Sequence, residues 1–364
     1  MKKKKVLIVD DSAFMRKLIQ NFIAEHPLLE SVGIARNGKE AIEKIKRLTP
    51  DVVSLDVEMP ILNGLDALQQ IMKECPVPII MLSSTTKKGA ENAILAMSYG
   101  AVDFIAKPSG TISLDLGMIK DEFITKLLSA STIEVSKLNQ SSAVLKQPER
   151  KTKFSHPLPV ERKKRFIGNI GTNEKKIVCI GTSTGGPRAL QQVLTSLPED
   201  FKAPILVVQH MPAGFTQSLA ARLNTLANIH IKEAEDGDVL ENGTAYIAPG
   251  GFHLKLKRNG SNLAIVLDNS EAPRNGHRPS VDVMFEAIKE YEDYEKIAVI
   301  MTGMGSDGAE GLVKLKMSGT VKAIAESKDS SIVYGMPKAA LSTKMVDDVE
   351  PLKHIADAIM NYMP

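Results

Sequence analysis

Short apolar runs ending in acidic or small residues alternate with helix-length amphipathic stretches along most of this chain. "KVLIVDD" leads into "SAFMRKLIQNFIAEH", "SVGIAR" into "NGKEAIEKIKRL", and "DVVSLDV" into "NGLDALQQIMKE". "PIIMLSS" then leads into "AENAILAMSYG", and "DFIAKP" into "LGMIKDEFITKLLSA". Strands that are each followed by a helix rejoin one sheet through crossovers, so the sheet is parallel and doubly wound. In the first helical stretch Ser12 is a candidate N-cap, and Phe14, Leu18 and Phe22 share one face.

The pattern breaks at about residue 130 and resumes at Lys175. "KIVCIG" leads into "PRALQQVLTSL", with Leu190, Val193, Leu194 and Leu197 on one helix face. "APILVVQHM" leads into "FTQSLAARLNTLA". A β-rich stretch follows and reads as a hairpin insertion, after which "SVDVMFEAIKEYE", "KIAVIMTGMGSDGAEG", "TVKAIAES" and a helical "HIADAIMNYM" complete the chain. The expected fold is α/β with two doubly wound parallel-sheet domains, 1–128 and 173–364, joined by a polar, basic linker at 129–172.

The formal net charge is +3, but residues 146–176 alone carry ten Lys/Arg against three Glu. That cluster reads as a solvated linker rather than a nucleic-acid site. Two cysteines, Cys75 and Cys179, make no disulfide framework, which suits a reducing cytoplasm. "MKKKKVLIVDD" has too short an apolar run for a signal peptide, and no run approaches membrane-span length. A cytoplasmic protein with no membrane insertion is therefore expected.

Sites in parallel sheets form at the carboxyl ends of strands. In the first domain those ends carry Asp10, Asp11, Asp56, Ser83 and Lys107. Three carboxylates in one crevice call for a hard divalent cation such as Mg²⁺. Asp56 could then attack a phosphoryl group while the cation and Lys107 offset its charge. "VDD", "LDVEMPILNG", "MLSS" and "DFIAKP" resemble the receiver domain of two-component response regulators, a flavodoxin-like fold. The resemblance implies that Asp56 accepts the phosphoryl group from a histidine kinase. It also implies that the Glu58 carbonyl joins Asp10, Asp11 and Asp56 on the metal. Ser83 and Lys107 would read the phosphoryl group, and Phe104 would hold the aromatic switch position.

In the second domain, "GTSTGGP" offers Ser183 as either a nucleophile or the serine of a phosphate cradle. A nucleophile needs a base and an orienter. His210 ends the apolar run one strand–helix unit later, and Asp307 lies in the glycine loop after a third run. His253 and His277 remain open as bases, and Asp282 is a weaker candidate acid. Ser183, His210 and Asp307 together form a candidate triad, with backbone amides near Gly185–Gly186 and Gly303–Gly305 as oxyanion donors. "GMGSDG" also matches a dinucleotide fingerprint, with Glu326 at the ribose spacing. Asp307 would, however, repel a pyrophosphate in that turn.

"IGTSTGGP", "VVQHMPAGFT", "IMTGMGSDGAEG", "AYIAPGGFHL" and "RPSVDVMF" resemble the motifs of the chemotaxis protein-glutamate methylesterases. This resemblance implies a phosphorylation-activated hydrolase that removes methyl groups from chemoreceptor glutamates, releases methanol and deamidates receptor glutamines. Thr184 would help set the histidine, the Met304 amide would serve the oxyanion, and the ester chemistry would need no cofactor. The implied partners are methyl-accepting chemoreceptors and a chemotaxis histidine kinase. Competing expectations are a nucleotide- or DNA-associated module and an inactive scaffold.

Overall fold

Strands β1 (Lys4–Val9), β2 (Leu29–Ala35), β3 (Val52–Asp56), β4 (Ile79–Ser83) and β5 (Asp103–Ala106) form a parallel sheet in the order 2-1-3-4-5. They belong to a computed structural model that describes residues 2–107, 116–136 and 175–363. Most of the expected 129–172 linker, and the basic cluster apart from Lys175 and Lys176 at the start of the second sheet, lies outside the described residues. Pairing of Val9 with Leu55, Asp56 with Leu82 and Ser83 with Ala106 aligns the carboxyl ends of four strands.

The connecting helices are α1 (Ala13–Ala24), α2 (Gly38–Leu48), α3 (Gly64–Glu74), α4 (Lys87–Ser98) and α5 (Leu116–Ala130). Ser12 caps α1 by accepting from the Met15 amide, as its position suggests. The expected apolar face of α1 needs correction at one residue. Phe14 is 53% exposed, and the buried side chains are Ile19, Phe22 and Phe22's neighbour Ile23. Phe14, the second residue of α1, stays at the surface, whereas Phe22 meets Phe123 of α5 with ring centroids 6.3 Å apart.

The second sheet is built from β6 (Lys175–Thr182), β7 (Ile205–Gln209), β8 (His230–Glu233), β9 (Thr244–Ile247), β12 (Tyr294–Ile300), β13 (Val321–Glu326) and β14 (Asp348–Glu350). Its order is 14-13-12-6-7-9-8, and every pair is parallel. The expected insertion is the antiparallel hairpin β10 (His253–Asn259) and β11 (Asn262–Asp268). Strand β6 lies between β12 and β7, where the chain switches direction across the sheet. Crevices at such switch points hold the ligands of α/β proteins.

Among the described residues, six helices cover this sheet: α6 (Gly186–Leu194), α7 (Phe215–Asn224), α8 (Val281–Lys289), α9 (Ala309–Lys316), α10 (Met336–Ser342) and α11 (Ile355–Asn361). Successive β6 residues serve opposite faces. Val178 and Ile180 pack with Leu190, Val193, Leu194 and Leu197, while Ile177 and Cys179 pack with Met284, Phe285 and Leu312. A strand covered on both faces must be apolar throughout, which explains why "KIVCIG" does not alternate. Each fully buried Leu or Ile contributes about 1.5–3 kcal/mol of transfer free energy.

The first of these apolar clusters continues without a break into the core of the N-terminal domain. At the seam, α4 packs on α7, and the Phe104 ring stacks on Phe215 with centroids 4.5 Å apart. A cavity of about 530 Å³ opens beside this contact, lined by residues such as Ile94, Leu95 and Arg222. Among the described residues, no helix is long and apolar enough to cross a membrane.

Candidate active site

The carboxyl ends of β1 and β3 bring ligand oxygens of Asp10, Asp11 and Asp56 within 4.8 Å of one another. Lys107, one residue beyond β5, pairs with Asp10 at 2.9 Å and with Asp56 at 2.7 Å. Burial pushes the Asp56 pKa up to about 6, with Asp10 adding to it and Lys107 opposing. The charge of these carboxylates outweighs burial at Lys107 and raises its pKa. One ammonium thus faces three carboxylates, and an all-oxygen donor set of that charge fits Mg²⁺. The Glu58 amide donates to Asp56 at 3.3 Å, which places that residue beside the cluster. Ser83 is buried at the end of β4, its hydroxyl donating to the Gly89 carbonyl at 2.7 Å.

In the second domain, Ser183 follows β6 and His210 follows β7. Backbone bonds run from the Ser183 amide to Thr302 at 3.0 Å and from the His210 amide to Thr182 at 3.1 Å. Gln209 ties these strand ends together. Its Nε2 donates to the Ser183 carbonyl at 3.0 Å and the His210 carbonyl at 3.1 Å, while its Oε1 accepts from Thr182 at 2.7 Å. Sequence reasoning missed Gln209; its only signal is a lone amide inside "ILVVQ".

The glycines of "GTSTGGP" now have separate reasons. Gly185 caps α6 at φ +81°, a left-handed conformation that costs glycine little. A side chain on Gly186 would lie 2.8 Å from the Thr182 Cβ and would run into the Gln209 amide.

His210 Nε2 donates to Asp307 Oδ2 at 2.7 Å, leaving Nδ1 buried without a hydrogen-bond partner. Three further donors hold Asp307 from the start of α8: the Val281 amide at 2.7 Å, the Ser280 hydroxyl at 2.8 Å and the Asp282 amide at 3.0 Å. Burial alone would raise the Asp307 pKa, but the His210 hydrogen bond and charge, with these amides, hold it below the usual carboxylate range. Asp282, the weaker candidate acid, lies behind Asp307 and accepts from the Gly308 and Gly311 amides at 2.9 and 2.6 Å.

The Ser183 hydroxyl makes no hydrogen bond among the described residues. Thr184 is not on His210; its hydroxyl donates to Asp103 of β5 at 2.6 Å, across the domain seam. Two of the expected oxyanion amides are committed elsewhere, Gly186 to the Ser183 carbonyl at 2.7 Å and Gly303 to Val333 at 3.0 Å. The Met304 amide has no partner among the described residues. Glu326 is fully buried and accepts from the Thr302 amide and the Ser330 hydroxyl, so it does not face a ribose. His253 is also fully buried, with Nε2 on the Ala272 carbonyl. His277, by contrast, reaches the site and stacks on His210.

Residues 178–359 match the family described as CheB methylesterase, and residues 6–116 match the response regulator receiver domain. The chain is 58% identical over 360 residues to the protein-glutamate methylesterase/protein-glutamine glutaminase of Geobacillus kaustophilus, with 99% of each chain covered. It is 49% identical over 359 residues to the Bacillus subtilis protein of the same name, with 98% of this chain and 97% of that one covered. The solved catalytic domain of Thermotoga maritima CheB methylesterase is 45% identical with a TM-score of 0.50, covering 52% of this chain and 99% of that one.

Asp282 offers a test of how the site is braced. Burial and the neighbouring Asp307 push its pKa up to about 6 against the pull of the Gly311 amide. In Asp282→Asn the amide oxygen can still accept from Gly308 and Gly311. Asp282→Ala leaves both amides unpaired and should lose about 1–3 kcal/mol of stability in denaturant unfolding. Because the folded pKa is raised, the stability that protonated Asp282 contributes is complete below 3.8 and lost as pH rises through about 6. The stability of the unsubstituted protein relative to Asp282→Asn should therefore fall across that window.

Proposed function

The chain belongs to the protein-glutamate methylesterase/protein-glutamine glutaminase family, with a receiver domain ahead of the catalytic one, and from that premise we propose a phosphorylation-gated hydrolase acting through Ser183, His210 and Asp307. Its substrates would be glutamate γ-methyl esters, and glutamine amides, on methyl-accepting chemoreceptors. The observation that carries the reading is the His210 ring, bonded through Nε2 to a fourfold-held Asp307 and left with a bare Nδ1 at the strand end tied to Ser183.

In the proposed reaction, Nδ1 takes the Ser183 proton as Oγ attacks the ester carbonyl carbon. Asp307 holds the ring orientation and offsets the imidazolium charge. The Met304 amide would donate to the oxyanion; loss of one such donor typically costs about 3 kcal/mol of transition-state stabilisation. The C–OCH₃ bond then breaks, and His210 returns its proton to the leaving methoxide, giving methanol and an acyl-serine. Water, deprotonated by His210, attacks the acyl carbon and frees the glutamate and Ser183. With an amide substrate, ammonia leaves instead.

Gating follows from the seam. The receiver places Asp103 on Thr184, next to the nucleophile, and Phe104 on Phe215, at the start of α7 after the His210 loop. These two residues share β5 with the approach to Lys107, which holds Asp56. In the proposed gating, Asp56 takes a phosphoryl group from a histidine kinase's phosphohistidine, the P–N bond breaking as the P–O bond forms. Asp10, Asp11, Asp56 and the Glu58 carbonyl would hold Mg²⁺, whose positive charge would offset the phosphoryl oxygens. Lys107 would turn to the new oxygens, with Ser83 reading them, and β5 would loosen its hold on Thr184 and Phe215.

Three variants test this. Ser183→Ala should abolish methanol release from methylated receptors with the fold intact by circular dichroism; retained hydrolysis, or specific nucleotide binding in its place, would overturn the reading. Asp56→Asn should keep the unstimulated rate and lose all stimulation by a phosphodonor. Asp103→Ala should raise the rate measured without phosphodonor, because Thr184 is no longer held; an unchanged rate would argue against gating through this contact.

A further inference from the structure

The imidazole of His277 lies flat on that of His210, with ring centroids 3.8 Å apart and planes 6° from parallel. Its position is built in. Arg274 and His277 exchange backbone hydrogen bonds of 3.0 and 2.9 Å across a turn whose central residues, Asn275 and Gly276, both have positive φ, at 52° and 82°. That is the geometry of a tight hairpin turn, which the Asn-Gly pair favours. The Arg274 guanidinium anchors the turn on Glu286 at 2.7 Å and Glu271 at 3.0 Å. The His277 ring nitrogens make no hydrogen bond among the described residues.

The proposed ester chemistry assigns no proton to His277. Burial and the adjacent His210 push its pKa down to about 4, with Lys126 of the receiver adding to the push and Asp307 and Glu122 opposing it. The ring is therefore neutral at physiological pH, with its π-face available to a positive charge on His210. We propose that His277 is a positioning residue, an aromatic platform that fixes the plane of His210 so that Nε2 stays on Asp307 while Nδ1 serves Ser183. The same platform supports the imidazolium formed when Ser183 gives up its proton. The inference rests on the Ser183–His210–Asp307 reading.

The test uses the full chain with a small-molecule phosphodonor and methylated receptors as substrate. His277→Phe keeps a flat ring, whereas His277→Ala and His277→Gln remove it. Loss of the stack should lower kcat about 3- to 10-fold with KM unchanged, while His277→Phe should stay within about twofold of the unsubstituted protein. In proton NMR, the His210 ring protons should be displaced upfield in the unsubstituted and Phe proteins and return to ordinary positions in the Ala protein. Equal loss of kcat in the Phe and Gln proteins would overturn the proposal, as would a rise in KM alone. If His277→Ala does not fold, the Phe–Gln comparison decides in the same way. The ring-current signal needs no turnover, so failure of the platform is distinguishable from failure of the triad, which Ser183→Ala reports.

Discussion

Burying a carboxylate costs several kcal/mol unless protein donors replace its water. Asp307 has four such donors, and they come from separate places: His210 after β7, and the Ser280 hydroxyl and two amides at the start of α8. The positive end of the helix dipole adds to their effect. A carboxylate held this way cannot drift, so it locks the loop after β12, the start of α8 and the His210 ring into one arrangement. Asp282 braces the assembly from behind by taking the Gly308 and Gly311 amides. The strand end that carries Ser183 joins through Gln209, whose one side chain amide touches both the Ser183 and His210 carbonyls.

The domain seam works on a different physical basis. It combines an apolar cluster continuous between the two cores with a short polar contact from Thr184 to Asp103. The apolar part has no direction, while the polar contact is specific and lies one residue from Ser183. Asp103 is itself restrained, its Oδ1 accepting from the Phe104 amide at 2.8 Å and pairing with Lys126 at 3.4 Å. Strand β5 therefore runs from the Thr184 contact at Asp103 to Lys107, which pairs with Asp10 and Asp56.

Particular residues show how far the amino-acid sequence could be read. Ser183, His210 and Asp307 were legible because each follows an apolar run, and strand ends of a parallel sheet converge. The alternative acid, Asp282, was set aside for its place near a helix start, and it does lie in the first turn of α8. Phe14 misled, since helical periodicity locates a face but not which of its positions the core covers. Gln209 and Asp103 escaped notice, and His277 stayed undecided beside His253, because their roles depend on partners 26, 81 and 67 residues away.

The amino-acid sequence by itself determined the two parallel sheets, their strand ends and the residue types gathered there, because apolar period and turn chemistry are local properties. Only the tertiary structure decided that α4 and β5 of the receiver meet the second domain beside Ser183, that Thr184 is held by Asp103, and that His277 rather than His253 stacks on His210. Those outcomes depend on distances between segments remote in the chain, which no local pattern encodes and which packing alone settles.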